Sequence, residues 1–152
     1  MSTRMDQIDG WQPEILELRE RQRIARQMGG PERIARQHAA GKLTVRERID
    51  SILDPGTFLE IGSIAGKATY DASQRRMIDF MPANGVFGCG SVDGRPVVIF
   101  GDDFTGLGGS ADASIKHKYQ MPEMMAGEFR IPLIRMIEGS GGGVPFTHLS
   151  VI

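Results

Sequence analysis

The chain has 152 residues, with 40% hydrophobic and 24% charged side chains and a formal net charge of −1. That length allows one domain with a core of its own, and that charge balance gives no basic footprint for nucleic acid. No apolar run approaches the ~20 residues of a membrane span, and the opening "MSTRMDQIDGWQPEIL" lacks a signal-peptide core, so the expectation is a cytoplasmic protein with neither a nucleic-acid nor a membrane partner.

The first third is rich in arginine and reads as helical. Residues 13–28, "PEILELRERQRIARQM", open on a proline suited to a first helical turn. Glu17 stands four residues before Arg21, a pairing distance on a helix face. Gly29-Gly30-Pro31 stops this helix, and "PERIARQHAAG" starts the next. The third, "TVRERIDSIL", has Thr44 as its N-cap, Glu47 in place for a capping box, and an apolar stripe of Val45, Ile49 and Ile52. Asp54-Pro55-Gly56 is a turn.

Beyond it the chain is punctuated by glycine. Residues 57–66, "TFLEIGSIAG", alternate and predict a strand. Residues 67–84 are polar and irregular and read as a loop, with Arg75 and Arg76 solvated or touching an anion. "GVFGCGSV" and "RPVVIFGDDF" flank Asp93-Gly94, a strong hairpin signal. A glycine turn and a helix follow, with Pro122 expected to interrupt or kink that helix. "RIPLIRMI" is a short buried strand that leads into a second glycine turn. The order is strand, hairpin strand, turn, helix, strand, turn: a ββα arrangement with no longer sequence repeat.

The two glycine clusters are "DFTGLGGS" (residues 103–110) and "EGSGGG" (residues 138–143). Neither carries the lysine-serine/threonine pair of a phosphate loop. Gly88-Cys89-Gly90 lacks the third glycine and the helix of a dinucleotide fingerprint. Glycines after a strand let backbone N–H groups face a pocket, where they can stabilise an enolate or another oxyanion; the alternative is a tight turn that lets a helix pack on a sheet. Side-chain chemistry has little support. His38 and His117 read as surface residues, His148 lies in the tail, and no metal-ligand spacing is present. Cys89 reads as a small buried thiol. Ser140 lacks the pattern of a nucleophile elbow. Asp102 and Asp103 serve either a turn or a ligand. Lys116 and Lys118 either reach a phosphate or lie on a solvated helix face.

The stretch "GGPERIARQHAAGKLTVRERIDSILDPGTFLEIG" strongly resembles the start of the carboxyltransferase (beta) subunit of biotin-dependent acyl-CoA carboxylases, of the propionyl-CoA/acetyl-CoA carboxylase type. The resemblance continues through "GVFGCGSVDGRPVVIFGDDFTGLGGS" and "IPLIRMIEGSGGG", and it covers residues 28–143. It implies an α/β fold: a partial crotonase-like ββα superhelix preceded by an α-helical amino-terminal segment. The expected division is residues 1–56 for that segment, 57–143 for part of the carboxyltransferase domain, and 144–152 for a divergent tail. The implied reaction moves a carboxyl group from carboxybiotin to the α-carbon of a short acyl-CoA, propionyl-CoA or acetyl-CoA. Biotin would be carried on a partner subunit or domain, with a biotin carboxylase or biotin carrier subunit as partner, a homo-oligomeric assembly, and no metal.

Carried over by the resemblance, residues 140–143 match the family's Ser-Gly-Gly-Ala. Gly142 and Gly143 would then form the backbone oxyanion hole. Ser140, Gly141, Phe104, Gly108, Gly109, Ser110 and Lys118 are the expected substrate-binding residues. Two departures stand out: Glu138-Gly139 replaces the usual Asn-Asp, and Gly143 replaces alanine. The family continues into a second glycine motif and a second domain, whereas "VPFTHLSVI" resembles neither. The expectation is an amino-terminal piece, inactive alone, with exposed apolar surface and open strand edges. The competing expectation is a non-catalytic CoA-binding or subunit-assembly module.

Overall fold

The computed structural model describes residues 10–72, 76–109 and 115–139. Helix α1 (Gln12–Arg26) has proline in its first turn, Glu14 near its amino end, and Arg23 and Arg26 in its last turn, all favourable to the helix dipole. It is followed by α2 (Pro31–Ala39) and α3 (Val45–Ile52). The capping box of α3 forms as expected: Glu47 N–H donates to Thr44 Oγ1 at 3.3 Å, and Thr44 N–H donates to Glu47 Oε2 at 2.7 Å. His38, then Thr44, hold the Glu47 carboxyl down to about 2.

Among the described residues six strands follow: β1 (Leu59–Ile61), β2 (Gly66–Asp71), β3 (Arg76–Pro82), β4 (Gly85–Val92), β5 (Arg95–Asp102) and β6 (Leu133–Met136). A short 3-10 turn (Leu107–Gly109) and α4 (Lys116–Phe129) separate β5 from β6. Four strands form one sheet in the order β1-β4-β5-β6, with β5 and β6 parallel and the other pairs antiparallel. The Asp93-Gly94 hairpin is present. Both residues have left-handed φ, and the Asp54 carboxylate ties the turn down by accepting from Gly94 N–H at 2.9 Å and Asp93 N–H at 3.0 Å.

The alternation of β5 builds a helix–sheet–helix sandwich. Val97 and Ile99 pack with Val45, Ile49 and Leu53 on the α3 side, joined by Val86. Val98 and Phe100 face the other way with Phe87, and meet Tyr119, Met125 and Ala126 of α4. Helix α3 therefore shares a core with the sheet.

Three sequence expectations are corrected. The strand expected over residues 57–66 divides: β1 covers only Leu59–Ile61, and Gly66 already begins β2. The segment read as a loop forms the antiparallel β2–β3 hairpin, with an irregularity between Thr69 and Tyr70. Among the described residues of that hairpin only Phe80 is deeply buried, so it carries little apolar alternation for a sequence reading to detect. Of the two outcomes expected at Pro122, interruption is the one overturned: α4 runs on to Phe129. The proline's missing N–H removes the bond to the Lys118 carbonyl, while its fully buried ring keeps apolar packing at that point.

Candidate functional site

Strand β5 ends at Asp102, and the first glycine turn begins at once. Asp103 is buried and organises it: its Oδ1 accepts from Thr105 N–H at 3.0 Å and Thr105 Oγ1 at 2.5 Å, and its N–H donates to the Asn84 carbonyl at 2.7 Å. Desolvation raises the Asp103 carboxyl above its ordinary value, and the Thr105 bonds only partly offset it. Asn84 Nδ2 donates to the Gly106 carbonyl at 3.2 Å, and the Tyr119 hydroxyl bonds Asn84 Oδ1. From the helical side, Gly29 N–H donates to Thr105 Oγ1 at 2.8 Å. A Cβ on Gly29 would stand 2.0 Å from the Thr105 carbonyl oxygen, so the α1–α2 connection can close on the turn only with glycine there.

The second glycine turn follows β6, and the parallel pairing of β5 with β6 brings the two turns together. A Cβ on Gly109 would lie 1.9 Å from the Glu138 carbonyl oxygen, and Gly109 has a φ of +73°. Both the contact and the conformation require glycine. Glu138 fixes the second turn to the helical segment. Its Oε1 accepts from Gln37 Nε2 at 3.1 Å and Lys42 Nζ at 3.2 Å, its Oε2 pairs with Arg48, and its N–H donates to Asp102 Oδ2 at 3.3 Å. Burial opposes the Glu138 charge. The bonds from Gln37 and Lys42 and the charges of Arg48 and Lys42 outweigh burial and hold the carboxyl below its ordinary value.

Two cavities flank the first turn. One, of about 450 Å³, is lined by Phe104, Thr105, Leu107 and Gly108 of the turn and by Arg33, Arg36, Gln37 and Lys42 of the helical segment. Lys42 Nζ stands 5.4 Å from the Phe104 ring centroid. The other, of about 280 Å³, contains Lys118, Arg33, Arg46, Glu60 and Asp103 in its lining. Lys118 is 7% exposed, so it is not on a solvated face. Burial pushes its amine down to about 8; Glu60 opposes this shift and Arg46 adds to it.

Of the residues singled out in the sequence, Phe104 and Gly108 meet in the larger cavity, Gly109 stands at the junction of the turns, and Lys118 occupies the smaller cavity. Ser110, Ser140, Gly141, Gly142 and Gly143 lie outside the described residues, as do Arg75, His148 and the side chain of Lys116. His38 and His117 are exposed, with His38 bonded to Glu47. Cys89 is half-buried, with its thiol pushed up by desolvation. Sequence reasoning missed Arg33, Arg36, Lys42, Arg46, Glu60 and Asn84. The spacing of Arg33 and Arg36 on one helix face was a usable signal; the other residues meet the turns only through tertiary packing.

Residues 36–147 match the family model described as "Carboxyl transferase domain". The chain is 38% identical over 131 residues to the propionyl-CoA carboxylase carboxyltransferase subunit of Haloferax mediterranei, covering 86% of this chain and 25% of that protein. It is 41% identical over 132 residues to the propionyl-CoA carboxylase beta chain of Roseobacter denitrificans, covering 85% and 25%. The described structure is similar to the transcarboxylase 12S crystal structure with methylmalonyl-coenzyme A and methylmalonic acid bound. The TM-score is 0.69 at 29% identity, over 84% of this chain and 25% of that one. The chain thus spans about a quarter of the length of these relatives.

Proposed function

The chain belongs to the carboxyl transferase domain family and has part of its crotonase-like α/β fold, and from that premise we propose that the protein serves carboxyl transfer to the α-carbon of a short acyl-CoA, propionyl-CoA or acetyl-CoA. The observation that carries this reading is the junction at Gly109, where two strand-end glycine turns meet with no room for a side chain. Such a junction can present backbone N–H groups to a thioester oxygen as it gains charge on enolisation. In this proposal Gly142 and Gly143 supply those N–H groups. Phe104, Gly108, Gly109, Ser110, Ser140 and Gly141 hold the acyl-CoA, and the groove over Phe104 takes its anionic part.

Carboxybiotin, carried on a partner subunit or domain, would supply the carboxyl group as its N–C bond breaks, leaving the ureido nitrogen free to take the α-proton. The side chains around the described junction fit that division of labour. Asp102 accepts from Glu138 N–H, Asp103 from Thr105, and Glu138 is bonded to cations, so these carboxylates are committed to holding the turns. What remains for this chain is to bind, orient and stabilise charge through its backbone. No described helix is long and apolar enough to cross a membrane; a cytoplasmic, homo-oligomeric assembly with a biotin carboxylase or biotin carrier subunit is part of the proposal.

The test is carboxyl transfer to propionyl-CoA with a carboxylated biotin carrier supplied, run beside a calorimetric titration with acyl-CoA. Gly109→Ala should weaken acyl-CoA binding at least about tenfold, because the left-handed backbone and the Glu138 contact must both yield. Acyl-CoA binding that depends on Gly109, with no transfer by this quarter-length chain alone, is the expected result; transfer by the chain alone would overturn the expectation that it is inactive by itself. Wild-type affinity in Gly109→Ala would remove the junction from the site.

A further inference from the structure

The cavity around Lys118 holds more positive charge than the described structure neutralises. Three cations, Arg33, Arg46 and Lys118, face two carboxylates, Glu60 and Asp103. Glu60 gives both oxygens to Arg46, at 2.8 and 3.0 Å. Asp103 turns Oδ1 to Thr105. Among the described residues Lys118 therefore makes no hydrogen bond or ion pair, although it is 7% exposed. Arg46 Nε is also buried without a partner. A largely buried cation with no bonded anion of its own is disfavoured unless an anion joins it or it gives up its proton.

The space suits such an anion. A water occupies ~30 Å³ of liquid, so a cavity of about 280 Å³ admits a tetrahedral oxyanion together with water. We propose that the Lys118 cavity is a phosphate-binding site, in which Lys118 Nζ and the cationic side chains of Arg46 and Arg33 face one phosphate group. The five charged side chains carry one net positive charge, which a singly charged phosphate would neutralise. The inference does not rest on carboxyl transfer: it follows from the charges lining this cavity. The phosphate has two possible sources, free inorganic phosphate or a phosphate of CoA. Arg33 and Leu107 line both this cavity and the groove over Phe104, which places the two side by side.

The experiment is a calorimetric titration of the whole chain with inorganic phosphate and, separately, with CoA, at matched ionic strength. Wild type should bind, and Lys118→Met should lose affinity at least about tenfold, the scale of a removed charge-assisted contact. Arg33→Ala, at the edge of the cavity, should lose severalfold and guards against misfolding of the first variant. Lys67→Met, an exposed lysine of β2, should bind as wild type does. CoA binding tighter than inorganic phosphate, with the same dependence on Lys118, assigns the occupant as a CoA phosphate; phosphate binding alone assigns a free anion. Wild type with no phosphate or CoA binding below about 10 mM, or Lys118→Met and Arg33→Ala both binding as wild type, would overturn the site. A failure of acyl-CoA to bind with inorganic phosphate binding intact would count against the proposed function and leave this cavity's assignment standing.

Discussion

Strand β5 and helix α1 are held by different forces. In β5, Val98, Ile99 and Phe100 are 0% exposed and Val97 is 5% exposed, each locked between α3 and α4. Helix α1 buries no residue. It meets the β2–β3 hairpin through Glu17, Arg21 and Tyr70, with Arg21 lying 5.2 Å from the Phe80 ring centroid. The sheet rests on apolar burial, and the flank on polar contacts that water can replace. The candidate site lies between these regimes. Its glycine turns sit at the ends of the buried strand β5 and the half-buried strand β6, but Glu138, Gln37, Lys42 and Arg48 tie them to the arginine-rich segment.

The sharpest way to test that contrast is Ile99→Ala. Ile99 is fully buried against α3, so its truncation should cost about 2–5 kcal/mol through lost burial and an unfilled cavity. Denaturant unfolding would measure it. A loss under about 1 kcal/mol would mean that the sheet is no better packed than the flank.

Lys118 offers the next largest effect, because it places a charge inside the buried region. Its folded-state value of about 8 lies below the ordinary 10.5. Between those limits the unfolded chain binds the proton that the folded chain has released, so this group adds stability as pH rises. The gain begins near pH 8 and is complete above 10.5, amounting to about 3 kcal/mol. Unfolding followed from pH 7 to 11, in phosphate-free buffer, should show wild type gaining on Lys118→Met across that window. Parallel pH profiles would mean that the amine is solvated or already neutralised.

Glu138→Gln probes the seam. The substitution keeps the size of the side chain but removes the charge that Arg48 and Lys42 face, at a cost of about 1–2 kcal/mol. Because the folded Glu138 carboxyl lies below its ordinary value, its contribution is present above pH 4.5 and lost as pH falls through the folded value. The variant should therefore differ from wild type at pH 7 and converge with it in acid. Acyl-CoA affinity should fall alongside stability, since the second turn loses its anchor. An affinity unchanged by a destabilising Glu138→Gln would separate the anchor from the site.

What the sequence revealed follows the same contrast. The α3 capping box and the Asp93-Gly94 hairpin are set by residues within a few positions of each other, and both were legible. The apolar run of β5 was legible because both of its faces are buried by apolar residues, which leaves Val97, Val98, Ile99 and Phe100 in unbroken succession. The β2–β3 hairpin was missed because Tyr70, Ile78 and Met81 stay largely exposed, leaving little pattern beyond Phe80. The glycine turns were recognisable from composition and from the family resemblance. Their partners were not: Lys42 meets Glu138 across 96 positions, and Arg46 meets Glu60 across 14. Lys118 is the clearest case. A helix period cannot say which lysine of "KHK" turns inward, because the packing of α4 on the sheet decides it.

The smallest predicted effect completes the contrast. Tyr70 donates to Glu17 Oε1 at 2.7 Å and accepts from Arg21, yet the residue is 46% exposed. Tyr70→Phe removes the hydroxyl and leaves the ring. Water can reach Glu17 and Arg21, and the two remain paired at 2.6 Å. The net loss should be under about 1 kcal/mol, because an exposed hydrogen bond is exchanged for one to solvent. Hydrogen exchange is the better readout, since it separates local opening of α1 and β2 from global unfolding. Faster exchange confined to those two elements is expected, with β5 amides unchanged. If β5 exchange rose as well, the polar flank would be coupled to the buried sheet, and Tyr70 would join the residues that hold the glycine turns in place.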